Sequence, residues 1–344
     1  MKHRAARLAL AGAATSLALI PSPAWADKGH GQSSQGNYET SATQSNGTLA
    51  SRITFSGSTR GADGSAKALT PVGDWTPPAC WYEPMTAKEF AAAMDKAYDT
   101  VTNDPQQPSY AKVAQAQYRD LYKDGKYKNY NLDEADKGSW WVAVQDPNRL
   151  DESGAWDCDE NPFWVENGQT PAVKNAVTPE ILAELAYNRA QVPVTKVSLA
   201  PDAATKVNLP TWAWLDKAEF KEISVTASLS AGGVNIQATT TAKPVSLKLV
   251  PGTVDAETYP ASGVCAINDD GSIGEQYAKG KADEAPSCGI KYLRSSGGGS
   301  FKLQASITWQ ITWTGTGGLD GHLPDGTFGN DQDVTVQEIQ TVNR

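Results

Sequence analysis

Histidine is scarce in this sequence, with only three residues among 344. His3 lies at the N-terminus, and His30 and His322 lie in glycine-rich stretches. A Ser-His-Asp triad would need one of them, and none sits in a recognisable nucleophile motif. The sequence also lacks C-x-x-C, H-E-x-x-H, P-loop and G-x-G-x-x-G motifs, which argues against zinc and nucleotide sites. We therefore predict no catalytic residue and no cofactor, and we favour a non-enzymatic role.

Basic residues are too few to balance the acidic ones. The chain has 30 Lys and Arg against 39 Asp and Glu, a formal net charge of −9, and no basic cluster interrupts this excess. Such a chain repels the phosphate backbone of nucleic acids and the anionic surface of membranes. We expect no nucleic-acid partner.

Long hydrophobic runs are absent apart from residues 8–20. This run follows Lys2, Arg4 and Arg7 and precedes an A-x-A pattern at 24–26, which together predict a secretory signal peptide at 1–26. The alternative, a membrane anchor, is disfavoured because the run is too short to span a bilayer. Cleavage would leave 27 basic against 39 acidic residues, a balance of −12. We predict a secreted protein, released or held at the cell surface, with no membrane insertion after cleavage.

Cysteine is limited to four residues, all beyond the predicted cleavage site. An even number of cysteines in an oxidising compartment predicts two disulfides, for which three pairings exist. We expect Cys80 to pair with Cys158 and Cys265 with Cys288, because each pair then lies inside one predicted domain. The alternatives are free thiols or a metal site.

What the sequence does contain divides it into segments. Residues 27–73 are rich in Ser, Gly, Thr and Asn and predict a flexible tail, in which residues 49–55 are the one candidate strand. Residues 74–192 are rich in aromatic residues and carry helix signals, which predict a small helical domain closed by the first disulfide. Residues 193–344 alternate apolar and polar residues and predict a β domain.

The helix signals are local. Thr86 and Glu89 form a capping box, and Thr178 with Pro179 begins a further helix. Between them, Ser109 can cap a helix with the spacing of an amphipathic face. The members of that face are Tyr110, Val113, Ala114, Tyr118 and Leu121.

One stretch dominates the β domain. Residues 301–314, FKLQASITWQITWT, alternate strictly between apolar and polar side chains, the pattern of a long strand with one buried face. Such a strand needs a second sheet or a helix over its apolar face. We predict a hairpin turn at 231–233, a glycine-rich connection at 315–329 and an antiparallel, immunoglobulin-like β-sandwich. The fold class is then α+β with two domains.

The C-terminal half also resembles a known group. It carries Leu209-Pro210-Thr211-Trp212-Ala213-Trp214, the Cys265 and Cys288 pair, Tyr292 with Ser295-Ser296, and residues 308–315. These motifs resemble actinobacterial secreted proteins of unassigned function whose C-terminal part looks like a PKD-type, immunoglobulin-like sandwich. PKD domains usually carry a Gly-Asp-Gly turn, whereas residues 250–253 here lack the aspartate. The resemblance implies a fold and no catalytic residues.

Two groups of residues are candidates for binding. Asp157, Asp159 and Glu160 flank Cys158, and their oxygens could hold Ca²⁺; the alternative is a solvated acidic loop. The residues between 74 and 164 include six tryptophans and seven tyrosines, whose rings could stack on sugars or simply fill a core. The tryptophans that we single out as possible ligand-binding residues are Trp140, Trp141 and Trp156.

Three functions remain open at this stage. The leading hypothesis is a secreted binding or structural module at the cell envelope with an extracellular protein partner, because a sandwich without a catalytic constellation commonly serves adhesion. The second is a protein that binds carbohydrate or cell-wall glycan through the tryptophans of the first domain. The third is a secreted hydrolase with an acidic pair.

Overall fold

The structure, a computed structural model, describes residues 51–57, 66–194, 196–202, 204–217, 220–282 and 284–338. The predicted signal peptide and residues 27–50 of the predicted tail lie outside these ranges. Among the described residues, none of the helices is long and apolar enough to cross a membrane. The fold consists mainly of antiparallel β-sheets, with few helices and two disulfides.

The helices are α1 (Ala87–Asn103), α2 (Ser109–Lys123) and α3 (Pro179–Arg189), with short 3₁₀ segments at Asn129–Glu134 and Ser153–Trp156. The strands are β1 (Thr54–Ser56), β2 (Ala66–Ala68), β3 (Thr70–Pro71), β4 (Cys80–Met85), β5 (Gly138–Gln145), β6 (Phe163–Glu166), β7 (Gln191–Pro193), β8 (Ser198–Ala200), β9 (Ala204–Lys206), β10 (Pro210–Leu215), β11 (Ile223–Ala231), β12 (Val234–Val250), β13 (Ala256–Tyr259), β14 (Val264–Ala266), β15 (Ile273–Gly274), β16 (Gly289–Tyr292), β17 (Phe301–Gly315) and β18 (Leu319–Gln337).

An eight-stranded sheet, the large sheet, contains the three longest strands. Its order is β1-β11-β12-β17-β18-β3, with β14 added to β12 and β9 to β18. The predicted strand at 301–314 is β17, and its apolar residues face the core while the polar ones face solvent. The predicted turn joins β11 to β12, with Gly232 and Gly233 both at positive φ, which suits a two-residue hairpin.

The predicted glycine-rich connection at 315–329 is wrong in its extent. Only residues 316–318 turn, and β18 runs from Leu319 through the remaining glycines. Gly321 and Gly326 lie where large side chains approach the strand: a Cβ there would sit 2.8 Å from the Trp313 Nε1 and 2.7 Å from the Tyr187 hydroxyl. These glycines make room for neighbouring rings and do not mark a loop.

The inner face of the large sheet is covered in two ways. Helix α3 packs on β11, β12 and β17, where the sheet presents Ala227, Ala238 and Ala242, all fully buried. The Thr240 Oγ1 donates to the Ala183 carbonyl at 2.7 Å, which fixes the helix on the sheet. A five-stranded sheet, β13-β16-β10-β15 with β8 added to β10, shares the same continuous core beyond the helix.

A smaller core lies beside this one. It joins α1, α2 and the three-stranded sheet β4-β5-β6, and its centre holds Phe90, Tyr122 and Trp140. The predicted capping box begins α1, with Thr86 and Glu89 exchanging bonds. Helix α3, by contrast, shares its core with the large sheet. The region predicted as helical therefore contributes to both cores.

The first residues that the structure describes pair with strands near both edges of the large sheet. We call residues 51–57 and 66–71 the N-terminal strap. Its β1 pairs with β11 at one edge, its β3 pairs with β18 at the other, and its β2 pairs with β7. Within the range predicted as a flexible tail, the structure thus contains three short paired strands.

A buried carboxylate holds the start of the strap. Glu83 on β4 is 3 % exposed and accepts bonds from the Ser51 hydroxyl, the Arg52 amide and the Trp81 indole. Burial raises the pKa of Glu83, and these hydrogen bonds oppose the rise. A buried acidic group with three donors is a satisfied structural contact.

The disulfides join Cys80 to Cys158 and Cys265 to Cys288, the two pairs expected from the sequence. The second links β14, on the large sheet, to the residue before β16, on the five-stranded sheet. Disulfides are typical of proteins that fold in an oxidising compartment.

Candidate functional site

The tryptophans predicted to bind a ligand are mostly buried. Trp140 is 0 % and Trp141 4 % exposed, so neither can offer a ring face to a sugar. The Trp140 ring stacks on Phe90 at 4.4 Å between centroids, and its indole donates to the Tyr130 carbonyl at 2.8 Å. Trp156 is 53 % exposed. Of the two interpretations that the sequence left open, the core interpretation holds for Trp140 and Trp141, and Trp156 is the one of the three with an exposed ring.

The acidic candidates do not form a metal centre. Asp157, Asp159 and Glu160 are exposed. Among the residues that the structure describes, no three of His, Cys, Asp and Glu come together as a group that could hold a metal ion. These three carboxylates occupy a solvated loop beside Cys158.

One carboxyl group has a pKa near neutrality. Burial and the negative charge of Glu180 raise the pKa of Glu184 on α3 to about 7. A general acid needs such a value and also a place for substrate. Glu184 lines neither of the two cavities described below, so its geometry gives no support to the acidic-pair hydrolase.

Helix α2 is fixed to α1 by a polar cluster. The Tyr130 hydroxyl donates to the Asp95 carboxylate at 2.7 Å, and the Arg119 Nε donates to the same oxygen at 2.8 Å. Residues 129–131 all have positive φ, a strained conformation for Tyr130. The Trp140 indole bonds to the Tyr130 carbonyl and so helps to hold this turn. The cluster sets which side of α2 faces inward.

The side of α2 that faces outward is apolar. Tyr110 is 78 %, Val113 55 % and Leu121 37 % exposed. With Ala114 and Gln117, which are also exposed, they form the surface that we call the α2 face. The buried residues of the helix are Gln115 and Tyr122. The α2 face is therefore an apolar stripe left open to solvent.

This arrangement differs from what the amphipathic pattern implies. Periodicity groups five residues on one face, of which four are exposed, whereas Tyr118 is half-buried and packs against the smaller core. A periodic pattern does not say whether the residues that pack on such a face come from the same chain. The sequence signal that distinguishes the two cases is Tyr122, which belongs to the aromatic core on the opposite side. Sequence reasoning grouped four of these residues correctly but missed their exposure and the inward position of Tyr118.

The described surface also contains two adjoining cavities. The larger is a groove of about 470 Å³ between β6 and residues 169–173. The smaller, about 170 Å³, lies between the end of β6 and the Gly232-Gly233 turn. Sequence reasoning missed the groove, although the apolar stretch at 163–165 before the Asn167-Gly168 turn is its signal.

Comparisons with protein-family models, with curated proteins and with solved structures find no match to this chain.

Proposed function

We propose that this chain is a secreted, non-enzymatic binding module of the cell envelope and that a partner protein docks on the α2 face. The observation that carries this proposal is the alignment of Tyr110, Val113 and Leu121 along one solvent-facing surface. Exposed apolar patches with a polar rim are typical of protein–protein contact sites. Asp120 and Asp124 are exposed beside this stripe, which favours a partner segment that carries Lys or Arg next to its apolar anchors.

The proposal includes the export of the chain by the signal at 1–26. Two disulfides support an extracellular setting. We further propose that residues 193–344 adopt an immunoglobulin-like, PKD-type β-sandwich related to that of the actinobacterial secreted proteins. The two sheets that share a core, and the disulfide between them, support this assignment.

Site-specific photo-crosslinking tests the α2 face. The mature chain, with p-benzoylphenylalanine in place of Tyr110, is added to envelope fractions of the cells that produce it and irradiated. We expect one adduct of defined mass. Its yield should fall at high salt, and it should not form when Leu121→Asp is also present. The matched control carries the photoreactive residue at Gln310, which is exposed on β17. Failure to form an adduct at Tyr110, or the same adducts from both positions, would refute the proposal.

A further inference from the structure

The outer edge of β6 presents unpaired main-chain groups to the groove. Strands β5 and β6 pair antiparallel, with Trp140 opposite Trp164, and the Asn167 amide donates to the Lys137 carbonyl at 2.8 Å. Hydrogen-bonded and non-bonded pairs alternate along such a ladder. It follows that the amide and carbonyl of Trp164 and the amide of Glu166 point away from β5.

The two edges of this three-stranded sheet differ in their main-chain hydrogen bonds. At the β4 edge, Pro84 has no amide to offer, and Tyr82 bonds through its amide to the Asn175 carbonyl and through its carbonyl to the Val177 amide. At the β6 edge, only the Glu166 carbonyl has a main-chain partner, the Gln169 amide. None of the other described residues bonds to the outward main-chain groups of Trp164. The β6 edge is thus open, whereas the β4 edge is closed.

The lining of the groove follows the main chain. One wall consists of consecutive residues 163–166 and the other of consecutive residues 169–173. A ligand on the face of a strand would contact alternate residues, because successive side chains point to opposite faces. Consecutive lining residues indicate that the groove runs along the edge of β6, where main-chain groups are within reach.

The groove is lined mainly by apolar side chains, with Glu166, Gln169 and Thr170 as its polar residues, and it lacks basic side chains. Phe163, Trp164 and Val165 are half-buried in one wall, Pro171 and Val173 in the other. No Lys or Arg lines it, so an anionic ligand has no counter-charge there. An extended polypeptide satisfies both features, since its backbone can bond to the strand edge while its alternate side chains contact the apolar walls.

We propose that the groove between β6 and residues 169–173 binds an extended, apolar segment of a partner protein, which adds as a strand to the β6 edge through the main chain of Trp164 and Glu166. This site is separate from the α2 face. The main chain of the segment makes the hydrogen bonds at this site. The sequence of the segment affects binding mainly through its alternate apolar side chains.

Selection from a library of random linear peptides displayed on phage tests the groove, with the full mature chain as the target. Selected peptides are synthesised, and amide hydrogen exchange is followed with and without them. We expect apolar residues to alternate in the selected sequences, and exchange to slow at the amides of Trp164 and Glu166.

The matched variants are Glu166→Pro and Glu166→Ala. Both remove the carboxylate, but only proline removes the outward amide, and that amide takes no part in the β5 ladder. We expect Glu166→Pro to weaken peptide binding about tenfold, the loss of roughly one hydrogen bond, and Glu166→Ala to have little effect. Ala172→Trp, which fills the groove, gives a second test against Ala172→Ser. Leu121→Asp should leave peptide binding unchanged, which separates this site from the α2 face.

Two results would overturn the proposal. One is binding of the selected peptides to Glu166→Pro and Ala172→Trp as tight as to the unchanged chain. The other is slow exchange at Trp164 without peptide that increases with protein concentration, since this would place a second copy of the chain in the groove.

Discussion

Glu184 couples the stability of this protein to pH. Its pKa is raised from 4.5 to about 7 by burial and, to a smaller extent, by Glu180. The folded state therefore binds a proton at pH values where the unfolded chain has released it. By linkage, the contribution of this proton is fully present below about pH 4.5 and is lost as the pH rises through about 7.

Replacing Glu184 by Gln should remove this dependence. Glutamine keeps the shape of the side chain but carries no charge, so we expect Glu184→Gln to stabilise the fold by about 1–2 kcal/mol at pH 8, after allowance for partial exposure. At pH 4.5 the difference should be small. Urea unfolding at the two pH values measures it, with Glu180→Gln expected to give part of the gain. An equal gain at both pH values would contradict the assigned cause.

The burial of single side chains was the feature least predictable from the sequence. Trp140 and Trp156 carry the same side chain within one aromatic-rich region, yet one is fully buried and the other half exposed. Composition gives the number of rings but not their surroundings, which depend on Phe90 and Tyr122 from two different helices. The cysteine pairing was predictable because the domain order restricts it.

At the scale of elements, the N-terminal strap covers part of both edges of the large sheet. Its β1 pairs with residues 226–228 of β11, and its β3 pairs with residues 326–327 of β18. An exposed edge of a long strand is a template for pairing with another chain. We therefore expect the strap to limit self-association along the parts of the two edges that it covers.

A chain that begins at Asp74 should lose this protection. We expect it to form concentration-dependent oligomers, whereas the chain that begins at Asp27 stays in a smaller species under the same conditions. Sedimentation velocity over a range of concentrations makes the comparison. A control with Glu83→Ala in the longer chain should show a milder form of the effect, because it frees only the start of the strap. Identical sedimentation of the two chains would show that the edges need no cover.

Helices and strands were predictable from the sequence where one face is exposed to solvent and the other is buried. Strand β17 shows the period of two because its outer side chains face solvent. The strap strands are two or three residues long, too short to show any period. Helix α3 could be predicted from Thr178 and Pro179. Its place on the large sheet could not, because the alanines that receive it lie 38 to 53 residues after Arg189, the last residue of the helix.

At the scale of the whole molecule, the second disulfide joins two sheets. Cys265 and Cys288 are separated by 23 residues, and closing such a loop stabilises a fold by about 3–4 kcal/mol in the chain-entropy model. Cys80 and Cys158 are separated by 78 residues, for which the same model gives about 4–5 kcal/mol.

Removing each disulfide separately should reveal which core depends on it. We expect Cys265→Ala/Cys288→Ala to destabilise the large core, in which Trp309 is buried. Cys158 also packs against the large core, so we expect Cys80→Ala/Cys158→Ala to destabilise that core as well and to affect the smaller core, which contains Trp140, only through β4. Because the chain has 11 tryptophans, thermal unfolding is followed by fluorine NMR of the fluorotryptophan-labelled protein, in which Trp309 and Trp140 give separate signals. The same loss of stability at both probes in each variant would show that the cores unfold as one unit.

The strap also sets the order in which this chain can fold. The Thr327 hydroxyl bonds to the Thr70 carbonyl across 257 residues of sequence, and β3 has no partner until β18 has been made. During synthesis, residues that emerge among the first must stay unpaired until nearly the whole chain is available. Pairing of β3 with the far edge of the large sheet is therefore a late event in folding, and its long sequence separation makes it slow.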